Sequence, residues 1–215
     1  MRNNSWRSGL RASVLVVASL LAFSGCKNST SRHPILTAPI SIGHGIGEIE
    51  VHQTTLAQLT AKLGNRFERN EIEGSFGSPC VDGVCPNQFR KFTDINLDYK
   101  EFGLLFQFRK VEGEDVPESD LKLRLIRAYC TKPADGCKFQ GKTEKGIQLG
   151  SFRKDVLQSH NENLSWTGRQ GVVSSRNGIN FAFDSEYMKI QDTDRVNTID
   201  IFAPEDFGEF GHRSI

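Results

Sequence analysis

Five cysteines, five histidines and two acidic clusters are the residues of this 215-residue chain best suited to chemistry. In "CVDGVC" the Asp82-Gly83 pair is a strong two-residue hairpin turn. Val81 and Val84 would close that turn as a hydrogen-bonded pair. Cys80 and Cys85 then fall in the next, non-hydrogen-bonded pair, where Cα atoms lie closer. That separation is near the short end of the range a disulfide accepts. "CTKPADGC", Cys130 to Cys137, also carries Pro and Asp-Gly between its cysteines and can double back in the same way. Cys80–Cys85 and Cys130–Cys137 are therefore the expected bridges. Crossed pairing is one alternative. A four-cysteine zinc site is another, although neither pair has the two-residue spacing of zinc knuckles.

The histidines are His33, His44, His52, His160 and His212. His44 and His52 stand eight apart across a glycine-rich stretch, where a loop-and-strand location is the expected reading and no metal is expected. "EGEDVPESD", Glu112 to Asp120, lacks the regular oxygen spacing of a calcium loop and contains Pro117, so it reads as a solvated connection between strands. Asp192 and Asp194 in "QDTDR" read the same way. "NLSWTGRQG" sets Trp166 beside Arg169, residue types enriched at binding hot spots, and these two are the only binding candidates. The competing reading is a Trp packed under its own loop. No nucleophile elbow, phosphate-cradling glycine loop or zincin helix occurs, so no catalytic residue and no cofactor are expected.

Cys26 belongs to a different chemistry. Arg2, Arg7 and Arg11 make a basic leader, and Ala12 to Phe23 follow as an apolar run. That run has the length of a secretory h-region, roughly 7–15 residues, and is shorter than the ~20 apolar residues a membrane span needs. Ser24 and Gly25 then precede Cys26. The pattern resembles the bacterial lipoprotein box, in which a cysteine after small residues is lipidated on sulfur and becomes residue one. Phe23 stands where Leu is usual. The alternative is an ordinary signal peptide cleaved nearby, with Cys26 left as an odd thiol. Each buried methylene contributes about 0.8 kcal/mol, so several acyl chains hold a protein on a bilayer where one would not. Lys27, rather than Asp, follows the cysteine, which by resemblance to the enterobacterial sorting rule implies the outer membrane. Residues 1–25 thus read as a lipoprotein signal peptide, and the Ser-, Thr-, Pro- and Gly-bearing stretch 26–45 as a flexible tether.

Without the leader, 190 residues carry 24 basic and 26 acidic side chains, a net charge of −2. That balance gives no electrostatic reason to expect nucleic acid or anionic lipid head groups as partners. The length suits one or two small domains. Fifteen Phe against three Tyr and two Trp point to a Phe-rich core. For an exported chain, the four remaining cysteines argue for disulfides.

The elements that must position all of this show weak self-similarity. "IEVHQTTLAQLTAKLG" from Ile49 and "IQLGSFRKDVLQSHNE" from Ile147 both open with two alternating apolar residues, Ile49/Val51 and Ile147/Leu149. Hydroxyl residues suited to a helix N-cap follow, Thr54 or Thr55 in one and Ser151 in the other. Thr55 with Gln58 has capping-box spacing. Leu56, Leu59 and Leu63, and Phe152, Val156 and Leu157, continue at helical intervals, and Gly64 is placed to end the first helix. Further on, "FGLLFQF" (Phe102 to Phe108) aligns with "NGINFAF" (Asn177 to Phe183), and "LIRAY" (Leu125 to Tyr129) with "TIDIF" (Thr198 to Phe202). The offsets fall from 98 to 75 to 73 residues. The first copy therefore carries extra residues between helix and sheet, among them the Cys80/Cys85 hairpin.

The phrase "GIQLGSFRKDVLQS … NGINFAF … VNTIDIF" resembles the helix-then-β-meander modules of the β-lactamase-inhibitor-protein-like superfamily. Small outer-membrane assembly lipoproteins of the SmpA/OmlA type are similar to that superfamily. Gly146, Ile147, Leu149 and Gly150 match the opening of such a module, whereas His52 stands in the first copy where Gly150 stands in the second. The resemblance covers residues 146–202 closely and the stretch from 47 loosely. It implies an α+β fold of two tandem helix-plus-antiparallel-β-meander modules, Cys-bridged, spanning 46–140 and 141–204, with 205–215 a C-terminal tail. The expected function is that of a lipid-anchored envelope protein, a non-enzymatic binding or assembly module held on the membrane through its N-terminal lipid and meeting a protein partner. An envelope enzyme with scattered site residues, or an inhibitor of a secreted enzyme, are the alternatives.

Overall fold

A computed structural model describes residues 33–77, 89–160, 164–167 (as backbone), 172–185 and 191–210. A 3-10 turn at Pro34–Thr37 leads into a small three-stranded sheet of β1 (Ile40–Ser41), β2 (Gly45–Ile46) and β3 (Ile49–Glu50). Next comes helix α1 (Leu56–Leu63), then β4 (Glu68–Gly77), β5 (Phe89–Tyr99), β6 (Leu104–Val111) and β7 (Leu123–Tyr129). Helix α2 (Arg153–Ser159) precedes β8 (Leu164–Thr167), β9 (Val172–Ser175), β10 (Ile179–Phe183) and β11 (Val196–Phe202). A 3-10 turn at Pro204–Asp206 and a short α3 (Phe207–Phe210) end the described chain.

The eight long strands form one antiparallel sheet in the order β4-β5-β6-β7-β11-β10-β9-β8. Each helix is thus followed by a four-stranded meander, and the meanders join through their last strands. Alternation assigns the faces. Tyr99, Leu104, Phe106, Phe108, Ile126, Ala128, Ile179, Phe181, Ile199 and Ile201 are buried on one face, in the same core cluster as Leu59 of α1 and Val156 of α2. Both helices therefore cover this inner face. Phe106 and Phe181 are each 0% exposed. The opposite, outer face carries Asn96, Gln107, Arg127 and Asp200 at the alternate positions.

Local signals explain α1. Thr55 Oγ1 accepts from the Gln58 backbone N–H at 3.1 Å, and Gln58 Oε1 accepts from the Thr55 N–H at 2.9 Å, so the capping box forms. Gly64, with φ +82°, closes the helix through its N–H to the Thr60 carbonyl. The start of α2 differs from expectation. Phe152 is its N-cap, and Ser151 Oγ instead accepts from the Gln148 N–H. Carbonyls of Asp194 and Asp192 take the N–H groups of Arg153 and Lys154, so the first turn is satisfied by a neighbouring loop rather than a side chain. Ile147 and Leu149 are buried outside any strand, Ile147 in irregular backbone and Leu149 in a turn.

The described part of the stretch read as a tether is packed. Ile35 and Ile40 sit in the core, and Ile40 and Gln140 tie 36–42 to the segment after Cys137 through backbone bonds to Lys142 and Leu36. Apolar residues in a Pro- and Gly-rich stretch lack a period, so their burial is decided by the partner segment 139–143. The tail from 205 is likewise ordered through Phe210, which lies against Leu125 and Phe202.

Several contacts recur between the two halves. Leu104 opposes Ala128 and Phe106 opposes Ile126, while Ile179 opposes Ile201 and Phe181 opposes Ile199. Gly103 and Gly178 both have positive φ, and a Cβ on either would crowd the carbonyl of Tyr129 or Phe202. His52 N–H bonds the Leu123 carbonyl at 2.7 Å, and Gly150 N–H bonds that of Val196 at 2.8 Å. Residues 52 and 150 both lie at positive φ, +61° and +86°. Thr55 bridges Lys122, and Phe152 bridges Arg195.

Candidate functional site

The outer face of the sheet holds a furrow of about 580 Å³ on its first half. Its position follows from strand parity: once Ile95, Leu97 and Tyr99 point to the core, Asp94, Asn96 and Asp98 must point outward. A row of side-chain amides crosses three strands there, Asn70 opposite Asn96 and Asn96 opposite Gln107. Ile72, Leu105, Leu125 and Phe210 supply apolar walls, and Ile72 is 51% exposed. Lone apolar side chains at a surface are ordinary, but here they border a concave row of amides.

Charge at the furrow is balanced by bonded pairs. Arg127 Nε donates to Asp200 Oδ1 at 2.7 Å and its Nη2 to Oδ2 at 3.0 Å. Burial pulls the pKa of the Arg127 guanidinium down, yet the charge and hydrogen bonds of Asp200 outweigh it and leave it raised. The Tyr129 hydroxyl donates to Asp98 Oδ1 at 2.7 Å. Burial first, and then that carboxylate, push the phenol above its ordinary range, so it remains a donor. A larger hollow of about 770 Å³ lies between Arg69, Glu71, Lys91, Lys110 and Glu118. Arg69 there already holds Glu71 and Glu118 in exposed, hydrated pairs.

Beside the furrow, a network pins the C-terminal strap, Pro204–Phe210, to the same face. Asp94 takes both Nε and Nη2 of Arg109, at 2.7 and 2.9 Å, and the guanidinium lies 3.7 Å from the centre of the Phe92 ring. Arg109 also reaches Glu209 at 2.6 Å. Arg124 reaches Asp206 at 2.8 Å and Glu209 at 3.1 Å. His52 places Nε2 2.7 Å from Asp206 and Nδ1 3.2 Å from Glu205. For Arg109, desolvation lowers the pKa, but hydrogen bonds to Asp94 and Glu209 more than offset it and keep it raised.

The candidates read from sequence fall in different places. Cys130 and Cys137 are disulfide-bonded with Cα atoms 5.4 Å apart, the local pairing expected from the Asp-Gly turn. Cys26, Cys80, Cys85, Arg169 and His212 lie outside the described residues. Trp166 stands on the edge strand β8 opposite Val173, far along the sheet order from the furrow strands. His44 is exposed on a turn, and His33 Nδ1 accepts from the Ile35 N–H at 3.2 Å. His160 is buried against Phe181. Glu112 to Asp120 form a turn whose Glu114 and Glu118 are held by Arg90 and Arg69. Among the described residues, no group of three His, Cys, Asp or Glu is disposed to hold a metal, and none of their helices is long and apolar enough to cross a membrane.

The amide row, the Arg109–Asp94 pair and the strap contacts escaped the sequence reading. Strand parity within "FTDINLDY" was the available signal, since it sets Asp94 and Asn96 apart from the core-facing residues. Nothing local marks His52 as a partner of residues about 150 positions away. The chain matches no family model, no curated protein and no solved structure.

Proposed function

We propose that this chain is a lipid-anchored protein of the bacterial cell envelope that binds a protein partner, without catalysis, through the outer face of its sheet. The observation that carries this reading is the furrow. Amides of Asn70, Asn96 and Gln107 offer donors and acceptors beside the apolar walls of Ile72, Leu105 and Leu125. Its six charged side chains are committed to bonded partners, Arg127 with Asp200, Asp98 with Tyr129, Lys100 with Glu68, and Arg69 with Glu71 and Glu118. Apolar and amide surface between charges that are already neutralised in pairs suits a protein interface, where unpaired charge at the centre is disfavoured.

The same reading includes two tandem helix-plus-meander modules and kinship with the β-lactamase-inhibitor-protein-like and SmpA/OmlA proteins. The recurrent contacts at 52/150, 55/152, 103/178, 106/181 and 126/199 support the duplication. Between β7 and β11, Ile126 opposes Ile201 and Ala128 opposes Ile199, as a local two-fold would require. Arg127 and Asp200, which correspond to each other at an offset of 73, then face each other at that axis and pair. The leader and the lipidation of Cys26 rest on the sequence, and Lys27 directs the anchor to the outer membrane.

A photo-cross-linking residue at position 107 in the full-length protein tests the binding reading. One discrete protein adduct is expected from envelope fractions, lost in a Leu105→Arg variant. Adducts equally abundant from position 61, exposed on α1 at the opposite side of the sheet, would refute it.

A further inference from the structure

The strap 204–210 is itself a segment seated on the outer face, and its seat has a definite chemistry. Three carboxylates, Glu205, Asp206 and Glu209, meet His52, Arg124 and Arg109, while Phe210 packs on Leu125 and Phe202. Asn180 Nδ2 adds a hydrogen bond to the Phe210 carbonyl at 2.9 Å. This apolar cluster is separate from the main core. The strap can therefore leave without opening the sheet.

The cations differ in what they would retain. Arg109 keeps Asp94 and the Phe92 ring if the strap departs. The carboxylate partners of Arg124 and His52, among the described residues, are all on the strap. An arginine on the sheet's outer face with only strap carboxylates as partners is a carboxylate reader. His52 supplies an independent sign. It occupies a left-handed backbone position, φ +61°, where the corresponding residue is Gly150. A non-glycine residue is disfavoured there, and its imidazole stands 2.7 Å from Asp206 Oδ2 and 3.2 Å from Glu205 Oε1.

We propose that His52, Arg109, Arg124, Leu125, Phe202 and Asn180 form an acceptor site for an acidic–aromatic segment of a protein partner, and that the chain's own strap occupies it as a displaceable internal ligand. The strap defines the recognised pattern, two adjacent carboxylates followed by a third and an aromatic, as in "EDFGEF". The site adjoins the furrow, since Phe210 forms one of its walls. Displacement of the strap therefore extends one docking surface into the other. The inference rests on the reading of the outer face as a binding surface.

The probe is a fluorescent peptide of the sequence APEDFGEF, residues 203–210, titrated against the full chain by anisotropy. In a Glu205→Gln/Asp206→Asn/Glu209→Gln variant the strap loses its carboxylates and the peptide should bind at least about ten-fold more tightly than to the parent chain. Adding Arg124→Gln should reverse that gain, and a peptide with Gln and Asn at the acidic positions should not bind. Absence of binding by a variant that melts like the parent would overturn the proposal, as would binding indifferent to Arg124→Gln. Self-association of the variant without peptide uptake would assign the surface to a second copy and also overturn it. Hydrogen exchange on the unaltered chain decides the matter independently of folding in the variants. Amides of 205–210 should exchange through local opening, faster than those of β6 and β7, and exchange only with global unfolding refutes a displaceable strap. Peptide uptake with no adduct at position 107 would uphold the acceptor while refuting the furrow.

Discussion

Acid lability should trace to one histidine. His160 caps the C-terminus of α2 and is 5% exposed, with its ring 5.3 Å from that of Phe181. Its Nε2 is buried without a hydrogen-bond partner among the described residues. Burial, and secondarily the positive charge of Lys145, pull its pKa down from 6.5 to about 4. Folded protein therefore keeps the ring neutral at a pH where the unfolded chain binds a proton. Above about pH 6.5 both states are neutral and the group has no effect. As pH falls below that value the unfolded state gains protons first, and stability declines until the pH nears 4. Between pH 7.5 and 5.0 the loss is on the order of 2 kcal/mol, from about 1.4 kcal/mol per pH unit over the affected interval. Urea unfolding of the parent chain and of His160→Leu, at half-unit pH steps, measures it. The pH dependence of the variant should be shallower by about 2 kcal/mol across that range. Parallel profiles, agreeing within about 0.5 kcal/mol, would refute the assignment.

Three further outcomes are expected. Phe106→Ala and Phe181→Ala should each cost about 3–5 kcal/mol in denaturant unfolding, since both rings, on β6 and β10, are fully buried; a cost within about 0.5 kcal/mol at either would contradict its place in the core. Cys26→Ser should abolish membrane fractionation and acyl labelling, and a variant still incorporating palmitate would refute the lipoprotein reading. Peptide mapping without reduction should recover Cys130 linked to Cys137 and Cys80 linked to Cys85. A Cys80–Cys130 link would contradict the hairpin geometry.

What the sequence determined by itself was what local interactions decide. The capping box of α1 needs only Thr55 and Gln58, three residues apart, and it forms. The reversal between Cys130 and Cys137, a 3-10 turn at Pro133–Asp135 followed by Gly136 at φ +98°, needs only the residues between them, and the bridge is there. Alternation in "LLFQF" and "INFAF" sorts residues by face because side chains in a strand point to opposite sides in turn. The cap of α2 departs from expectation because Ser151 has a nearer use in its own turn, and the helix draws its acceptors from 192–194 instead.

Only the tertiary structure decided how the strands join and which charges meet. Pairing of β7 with β11 unites two meanders separated by the whole of the intervening chain, and no local pattern states that join. It brings Arg127 to Asp200 across 73 positions. His52 meets Asp206 across 154 positions because the strap turns back over the outer face. The burial of Ile40 is equally nonlocal, since its cover comes from the segment that follows Cys137. Local propensity acts through neighbours a few residues apart, whereas these contacts depend on surfaces that exist only once the sheet has formed.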